Sequence, residues 1–474
     1  MGTLMLALVI APAAGAATRG AHGSVLLHLP GTRLATLAGH AGDRPVLVTR
    51  DLDAPATQLT LTRLRSDGRP DAAFGIGGTV STRVPATFES TPIARELDDG
   101  AILVVGRSRS DLLLIRISPA GALDTAFGSG GQRRVGLPAS AGWPVFVDGD
   151  GGVLVPRTLT GADGRRGMAV TRLRSDGAAD DAFGTAGTAA APEAQGGVST
   201  DASAVVRDLA GRVLVAGVAD APNPGAPPRV AVARLGADGR PDQAWAHGAL
   251  ALQDHPSPRA ERLLVAALGA DSAGGAAVSG AYGEPSPGSH YFSTVPFTFQ
   301  LDAAGAPASS PGALTFLAEG TLRRGLRLLD PLGLGAAGLD ASGTGALAEG
   351  PGDDVFAAAR GTGFVEVARY SAAGRFARGF GRDLARFAAA PAGRTALRAT
   401  CTTEARRGCR MSGSCLARPA TVPAGESRLV AVRLSRAQRS RVAAGHAVRL
   451  SCSTTALETG GPRSQVTAAS IRVG

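Results

Sequence analysis

The chain contains no lysine, so all 49 of its basic side chains are arginine, and Asn223 is its one asparagine. The lack of lysine excludes a P-loop, in which a lysine reaches the phosphates of a bound nucleotide. The same bias is typical of GC-rich codon usage, so an arginine is not by itself a sign of function. Only three tyrosines are present, and none of them (Tyr282, Tyr291 and Tyr370) has the neighbours that a sialidase nucleophile needs.

Long hydrophobic runs are also missing. The apolar segment near the N-terminus has about ten residues, too few to cross a bilayer, and no later segment is long and apolar enough. The small residues Ala14-Gly15-Ala16 that follow it fit a signal-peptidase site, although no positive residue precedes the segment. We therefore predict a signal peptide over residues 1–17 and a secreted or cell-envelope protein without a transmembrane segment.

Metal-binding patterns are absent from the sequence. The seven histidines are scattered and show no spacing that suits zinc. Asp148-Gly149-Asp150 resembles half of a calcium loop, but a third oxygen ligand and the closing glutamate are missing. A plain Asp-Gly hairpin turn accounts for this segment. The sequence thus predicts no metal site, no cofactor and no catalytic constellation.

Turn-forming residues are abundant instead. The chain has 66 glycines and 30 prolines, while aromatic residues make up only 4%. Many tight turns between short apolar segments are expected from this composition. A hydrophobic content of 44% argues against a chain that is disordered throughout.

One short pattern recurs along the chain: an arginine, a glycine five residues on, an aspartate eight residues on and an aromatic residue eleven residues on. Four copies keep every position: Arg63, Gly68, Asp71 and Phe74; Arg116, Gly121, Asp124 and Phe127; Arg172, Gly177, Asp180 and Phe183; Arg234, Gly239, Asp242 and Trp245. A copy at Arg369 lacks the aspartate, and a degenerate copy begins at Gln300. The six starts lie 53 to 69 residues apart, a spacing that indicates a stacked or radial repeat array.

Each repeat unit contains short apolar segments that are separated by Gly and Asp turns. In the second unit we predict strands at residues 79–84, 92–97, 101–105 and 112–117. Four short strands form a propeller blade, whose two faces must be covered by neighbouring blades. The predicted fold class is all-β, with a β-propeller of about six four-stranded blades over residues 20–390 and seven blades as the alternative.

The recurring positions have physical interpretations. The glycine predicts a turn that needs a positive φ angle. The aromatic residue is expected to fill the space between adjacent blades. The arginine and aspartate are expected to form a pair that ties the last strand to the turn after it. The alternative for these arginines is a ring that faces a ligand.

The repeat resembles the bacterial delta-60 repeat family. Residues 213–217 (VLVAG) and 123–131 (LDTAFGSGG) match the pattern of that family closely, and the resemblance covers roughly residues 20 to 385. It implies a propeller in a secreted or surface protein and implies no defined activity.

The connection before the last strand of each unit lengthens along the chain. It covers residues 107–111, 158–167, 219–229 and, in the fifth unit, 282–296. Because these insertions fall at the same place in each blade, we expect them on one face of the disc. The longest one carries candidate ligand-binding residues for a surface glycan or a protein partner, namely Tyr282, His290, Tyr291 and Phe292.

The composition changes after residue 390. Residues 391–474 contain 14 arginines and three glutamates, a net charge of +11, whereas the preceding part has 35 basic and 36 acidic side chains. Five strands are predicted in this module, and Ser435 and Gln438 form a capping box that opens a short helix. The arrangement resembles the small Ig-like β-sandwich modules of secreted bacterial proteins.

All four cysteines lie in this module. In an exported module they indicate two disulfides, for which the sequence allows three pairings. We favour a bond between Cys401 and Cys409 across a hairpin and a bond between Cys415 and Cys452 that joins two strands.

Taken together, these features favour a non-enzymatic extracellular binding or scaffold protein. One propeller face would bind a glycan or a protein, and the basic module would attach to an anionic polymer of the cell envelope. The alternative is a hydrolase or lyase with an active site in the propeller channel. No specific binding of nucleic acid is predicted.

Overall fold

A computed structural model describes most of the chain. The residues described are 17–19, 23–29, 32–38, 44–51, 57–84, 88, 92–108, 111–136, 141–142, 144–223, 226–254, 262–271, 274–285, 292–308, 326–327, 345–349, 355–361, 364–370, 377, 379–390, 395–461 and 463–473. Within them the structure is almost entirely β, as the sequence predicts, with one α-helix and one short 3₁₀-helix (Ala246–Gly248). No helix in these ranges has the length and apolar character that a membrane crossing requires.

Two short strands, β1 (Ala17–Arg19) and β2 (Ser24–His28), precede four regular blades. Each regular blade is an antiparallel sheet of four strands in chain order. Blade 1 has β3 (Thr32–Ala38), β4 (Val46–Asp51), β5 (Thr57–Arg63) and β6 (Thr79–Val84). Blade 2 has β7 (Ile93–Glu96), β8 (Ile102–Ser108), β9 (Asp111–Ile117) and β10 (Gln132–Gly136). Blade 3 has β11 (Phe146–Val147), β12 (Val153–Thr160), β13 (Arg166–Leu173) and β14 (Thr188–Ala190). Blade 4 has β15 (Thr200–Arg207), β16 (Val213–Ala219), β17 (Arg229–Leu235) and β18 (Ala251–Gln253).

The last two blades depart from this order. Blade 5 has β19 (Arg262–Asp271), β20 (Ala276–Pro285), β21 (Phe292–Leu301) and β22 (Leu326–Arg327), and β22 pairs with β19 rather than with β21. Blade 6 has β23 (Gly345–Glu349), β24 (Val355–Gly361) and β25 (Phe364–Tyr370). Its fourth strand is β2, which pairs with β25 from Ser24 opposite Ala368 to His28 opposite Phe364. The described residues therefore form six blades, and the N-terminal strand completes the last one.

The boundary between blades differs from the one that the sequence predicts. The sequence places residues 79–84 at the beginning of the second unit, but strand β6 (Thr79–Val84) pairs with β5 as the outer strand of blade 1. In each regular blade the recurrent turn connects the third strand to the fourth. One repeat of the sequence therefore contains strands of two neighbouring blades. The sequence shows the length of the repeat but does not show which strand starts a sheet.

A recurring backbone hydrogen bond joins neighbouring blades. The N–H of Gly75 donates to the carbonyl of Ala120 at 2.7 Å, and the equivalent bonds run from Gly184 to Asp238 and from Ala246 to Ala304, both at 2.8 Å. In the sixth repeat the N–H of Gly381 donates to the carbonyl of Asp67 in the first repeat at 3.1 Å. This bond links blade 6 to blade 1, so the ring is closed.

The hydrophobic core lies in layers between blades. One cluster joins blades 1 and 2, another joins blades 2 and 3, and a larger one runs through blades 3 to 5. A further cluster joins blade 6 to blade 1. The second strands are continuous apolar runs, and Ile102–Val105 of β8 is buried at every position. A strand that is covered on both faces needs no polar alternation, which explains this pattern.

The C-terminal module contains two sheets and a helix. A three-stranded sheet consists of β26 (Ala385–Ala389), β27 (Ala396–Cys401) and β30 (Ser427–Ala431). The second sheet contains β28 (Cys409–Gly413), β29 (Ala420–Val422), β31 (Val448–Glu458) and β32 (Arg463–Val473). Helix α1 (Arg436–Ala443) begins at the predicted capping box, in which the Ser435 side chain accepts from the Gln438 N–H. Two sheets thus enclose one core, as expected for a β-sandwich.

The module is continuous with the propeller. Strand β32 pairs with β1 and with the free edge of β2, so blade 6 and the second sheet of the module form one nine-stranded sheet. Strand β26 ends at Ala389, before the predicted boundary at residue 390, yet it pairs with β27 of the module.

Candidate functional site

The recurrent arginines form joints between blades. The Arg63 Nε donates to the Asp71 carboxylate at 2.8 Å, and Arg63 Nη1 donates to the carbonyl of Pro119 in the next blade at 2.8 Å. The guanidinium also lies 4.5 Å from the ring centroid of Phe74, a distance that suits a cation–π contact. The side chain of Arg63 is 5% exposed, so these contacts leave little of it available to a ligand.

The pair between arginine and aspartate recurs in three other blades. The Arg–Asp distances are 2.9 Å for Arg116 and Asp124, 3.2 Å for Arg172 and Asp180, and 2.7 Å for Arg234 and Asp242. Arg234 is the most enclosed of the four and also donates to the carbonyls of Gly274 and Ala303. These geometries favour the structural interpretation of the arginines over a ring that faces a ligand.

The ion pair between Arg234 and Asp242 holds the aspartate in its charged form. Burial of Asp242 opposes its ionisation, but the N–H of Ala244 and the guanidinium of Arg234 donate to its carboxylate. These hydrogen bonds and the nearby positive charges outweigh the effect of burial, so the pKa of Asp242 lies below its usual value. The carboxylate is therefore held in its charged form as part of the joint.

The recurrent aromatic residues are buried beneath the turn of the following repeat. Phe74, Phe183 and Trp245 are fully enclosed, and Phe127 and Phe380 are nearly so. A Cβ atom at Gly121 would lie 2.7 Å from the backbone nitrogen of Gly75 and 3.1 Å from the Phe74 ring. Gly121 also has a φ of +88°, so both the space and the backbone conformation require glycine there.

The candidate ligand loop of the fifth blade is shorter than the sequence predicts. Tyr282 does not belong to a loop: it lies within strand β20, opposite Leu263 of β19, and its buried ring stacks on Phe297 at 6.4 Å. Its apolar ring therefore packs into the core. Phe292 begins strand β21, and its side chain lies outside the described residues. His290 and Tyr291 also lie outside the described residues.

The long hairpins of blades 3 and 4 carry a cluster of charges that satisfy one another. Arg166 contacts Asp201 at 2.9 Å and Asp220 at 3.0 Å, and its backbone N–H donates to the Ser199 hydroxyl. The hydrogen bond to Asp201 and the two carboxylates raise the pKa of Arg166. The cluster connects two neighbouring blades at the surface, and its acids are already engaged.

The segment that resembles a calcium loop is a hairpin turn. Arg207 donates to the carboxylate of Asp148, and the Gly152 N–H donates to Asp150 at 2.8 Å. Both carboxylates thus have partners within the protein. Across the part of the chain that the structure describes, no group of three or more His, Cys, Asp or Glu residues is arranged to hold a metal ion.

One disulfide of the basic module ties its two sheets, since Cys401 lies in β27 and Cys409 in β28, and the other joins the segment after β28 to β31. Cys401 is bonded to Cys409, and Cys415 is bonded to Cys452, which is the pairing that the sequence analysis favours. All four cysteines belong to the buried core of the module. The first bond closes a separation of 8 residues and the second closes a separation of 37 residues.

Each of the three acids in the module has an arginine partner. Glu458 forms a buried pair with Arg463, whose Nε and Nη2 both donate to the carboxylate at 2.9 Å. Glu404 pairs with Arg69 of the first repeat and with Arg382. Glu426 lies 3.6 Å from Arg428. The contact between Glu404 and Arg69 could not be predicted from the sequence, because 335 residues separate them.

Most arginines of the module have no such partner. Ten of them have exposed side chains and make no ion pair within the described residues: Arg398, Arg406, Arg407, Arg410, Arg418, Arg433, Arg436, Arg439, Arg441 and Arg449. Because the three acids of the module are already paired with other arginines, the positive charge of these ten arginines is exposed at the surface of the module. The basic surface, defined by these ten residues, is the strongest candidate site of the described chain.

Comparisons with known proteins support the propeller and assign no activity. A family described as "Domain of unknown function (DUF5122) beta-propeller" matches residues 97–127, which cover the first turn, strands β8 and β9 and the recurrent turn of blade 2. No curated protein matches the chain.

Several solved structures are similar to the chain at low identity and low TM-score. Prolyl oligopeptidase B from Galerina marginata is 9% identical with a TM-score of 0.34, and the alignment covers 90% of this chain and 46% of that one. The chain therefore spans about half of that protein. Drosophila Plexin A in complex with Semaphorin 1b is 11% identical with a TM-score of 0.30 and coverages of 95% and 87%. The catalytic domain of a Coprinopsis cinerea GH62 α-L-arabinofuranosidase is 10% identical with a TM-score of 0.25 and coverages of 57% and 91%.

Proposed function

We propose that this chain is a non-enzymatic extracellular binding or scaffold protein that attaches to anionic surfaces of the cell envelope through its basic module. The observation that carries the proposal is the set of ten exposed arginines without ion pairs within the described residues, in a module whose three acids are all engaged. Clustered positive charge attracts anionic polymers and lipid surfaces over distances of about one Debye length, roughly 10 Å at 0.1 M salt.

Two further features support an extracellular location. The module contains two disulfides, which persist in oxidising compartments and are rare in the cytosol. The N-terminal apolar segment with its small-residue site supports export. The assignments to the delta-60 repeat family and to Ig-like modules, and the division into residues 1–17, 20–390 and 391–474, belong to the same proposal.

The propeller would serve as the scaffold and as a second binding face. Its hairpins between the second and third strands of each blade lie at one end of the sheets and differ in length from blade to blade. A face of this kind suits a glycan or a protein partner. No described constellation favours the alternative of a hydrolase or lyase.

The test uses the full chain, because β1 and β2 are shared between the module and the propeller. Its cosedimentation with vesicles of equal parts phosphatidylglycerol and phosphatidylcholine is measured between about 50 and 300 mM salt, across which the Debye length shrinks. One variant replaces Arg398, Arg410, Arg418, Arg436 and Arg449 by glutamine. The matched control replaces five exposed propeller arginines in the same way: Arg65, Arg83, Arg165, Arg174 and Arg240.

We expect the wild-type chain to bind at low salt and to dissociate as salt rises. The module variant should bind at least about tenfold more weakly, since each arginine near an anionic surface contributes about 1 kcal/mol. The control should keep most of its affinity. Equal losses in the two variants, or no binding by the wild type at low salt, would overturn the proposal.

A further inference from the structure

An open groove lies between helix α1 and the sheet of the module that contains β30. Its volume is about 470 Å³, within the range of pockets that hold small ligands. Its lining includes Ala417 and Ala443 and three larger apolar residues, Val432, Leu434 and Val442, which are called the apolar floor below. Arg433 and Arg439 stand at the same groove, and Thr395 completes the lining.

The groove is preformed by the surrounding backbone. The N–H of Arg433 donates to the carbonyl of Cys415 at 2.7 Å, and the N–H of Ala417 donates to that of Ala431 at 2.9 Å. The disulfide between Cys415 and Cys452 fixes the same segment to strand β31. The capping box at Ser435 fixes the start of the helix. The groove would therefore need no rearrangement of its backbone when a ligand binds, which lowers the entropic cost of binding.

The electrostatics of the groove select a negatively charged ligand. Arg433 and Arg439 are exposed and make no ion pair within the described chain, and Arg436 lies on the same helix. No acidic residue occurs between Glu426 and Glu458 in the sequence. Guanidinium groups bind phosphate oxygens through paired hydrogen bonds, so an oxyanion at the rim suits these two arginines.

The floor requires an apolar part in the same ligand. A polymer made only of polyols and phosphates could satisfy Arg433 and Arg439, but it would leave the half-buried Val442 and the exposed Ala443 in contact with water, whereas Val432 and Leu434 already belong to the buried core. Burial of a hydrocarbon chain on these side chains is favourable in proportion to the apolar area that is removed from water. The combination fits a molecule in which an acyl chain is joined to a phosphate.

From this complementarity we infer that the groove is a binding site for an anionic phospholipid, with its phosphate at Arg433 and Arg439 and part of one acyl chain on the apolar floor. The inference rests on the proposed function and deepens it, because it places a specific lipid site within the basic surface. It also explains why α1, a helix without a buried residue, lies against the module at this point.

The experiment uses the full chain and lipids that form no bilayer. Dihexanoyl-phosphatidylglycerol is titrated at 150 mM salt, below the concentration at which it forms micelles, and binding is measured by calorimetry. The comparison ligands are glycerol phosphate, which lacks the chains, and dihexanoyl-phosphatidylcholine, which lacks the net negative charge. We expect saturable binding of the anionic lipid and at least tenfold weaker binding of both comparison ligands.

Two variants address the groove, each with a matched control. Arg439→Gln removes a rim charge and Ala443→Trp fills the groove, and each should weaken lipid binding at least tenfold. Arg83→Gln removes the same charge from β6 of the propeller, outside the basic surface, and Ala388→Trp adds the same ring to an exposed position of β26. Both controls should bind the monomeric lipid as the wild type does. Melting temperatures of all four variants identify any that fail to fold, and Arg439→Gln changes only an exposed side chain.

The outcome separates this inference from the proposed function. Vesicle binding with no binding of the monomeric lipid, or equal effects of Arg83→Gln and Arg439→Gln, would overturn the groove site and leave attachment by diffuse charge. Absence of vesicle binding at low salt would overturn the proposed function instead. Tight binding of glycerol phosphate alone would show that the apolar floor is not used and would also overturn the inference.

Discussion

Gly23 is hydrogen-bonded to Phe380 and takes, in the sixth repeat, the position that Gly78 has in the first repeat. The Gly23 N–H donates to the carbonyl of Phe380 at 2.7 Å, and the Arg369 N–H donates to the carbonyl of Gly23 at 3.0 Å. In blade 1, Gly78 makes both equivalent bonds within its own repeat, with Phe74 and with Arg63. The sixth repeat thus takes its fourth strand from the opposite end of the chain.

This closure predicts complementation by a peptide. A chain without residues 1–29 lacks both β1 and β2, which leaves β25 and β32 with open edges. We expect this chain to melt at a lower temperature, and a peptide of residues 17–29 to bind it and to restore much of the loss. The measurement is a thermal melt with and without peptide.

A control peptide with Leu27→Glu tests whether the strand binds in its native position. Leu27 is fully buried in the layer between blades 6 and 1, so a charge there should abolish binding. Equal restoration by both peptides would contradict the closure described for blade 6.

The recurrent glycine gives a second prediction. Gly121→Val should lower the melting temperature strongly, because valine would adopt a positive φ and would also collide with the backbone of Gly75. The matched control is Gly130→Val: Gly130 has a φ of +61°, but no atom lies within 4 Å of the position that a Cβ would take. Backbone strain alone costs about 1–3 kcal/mol, so the control should lose about that much and Gly121→Val clearly more. Chemical denaturation measures both, and equal losses would show that the close approach has no energetic weight.

The Arg234–Asp242 joint gives a prediction about pH. Asp242→Asn leaves the buried guanidinium of Arg234 without its charged partner and should cost about 3 kcal/mol near neutral pH. Because the pKa of Asp242 is lowered in the folded state, its contribution is present above the usual carboxyl value of 3.8 and is lost as pH falls through the folded value. The difference in stability between wild type and variant should therefore be constant from pH 6 to pH 8 and shrink below about pH 4.

The control for that series is Asp181→Asn, which changes an exposed aspartate beside the equivalent joint in blade 3. It should leave stability within about 0.5 kcal/mol of the wild type at every pH. A difference for Asp242→Asn that persists unchanged at pH 3 would show that its cost does not come from the ion pair.

The two disulfides should contribute unequally. In the loop-entropy treatment, a bond that closes 37 residues stabilises by about 3.8 kcal/mol and one that closes 8 residues by about 2.5 kcal/mol. The double variant Cys415→Ser with Cys452→Ser should therefore be the less stable of the two double-serine variants. Denaturant unfolding followed by a probe in the module checks the order. The reverse order would indicate that packing around Cys401 and Cys409 outweighs the constraint on the unfolded chain.

Local features of the fold could be predicted from the sequence because short-range geometry determines them. Gly68 to Phe74 form a turn whose glycine, aspartate and aromatic residue each have a role within eleven residues of Arg63, so the pattern is readable in the four complete copies. The capping box at Ser435 is local in the same sense. The charge of the module could also be counted directly.

Features that depend on which strand edges meet could not be predicted. Strands β2 and β6 have apolar patterns that would fit several sheets, and backbone hydrogen bonds along a strand edge carry no signature in the side chains. The prediction that Tyr282 lies in a loop was wrong for a related reason. The β20–β21 hairpin is longer than the sequence indicates, so Tyr282 lies within strand β20 and is buried in the core. The groove at Arg433 and Arg439 was missed because its lining comes from the segment after β30 and from helix α1, and only the tertiary structure brings these two together.

The sequence alone therefore determined the repeat, the turns within it and the excess of positive charge in the module, and it left the number of blades open between six and seven. The tertiary structure decided that β2 closes the ring, that β32 extends the same sheet into the module, and that Glu404 is neutralised by Arg69. The physical reason is the range of the interactions. Turn conformation and composition are properties of neighbouring residues, whereas edge pairing and ion pairs between distant segments arise only once the whole ring has closed.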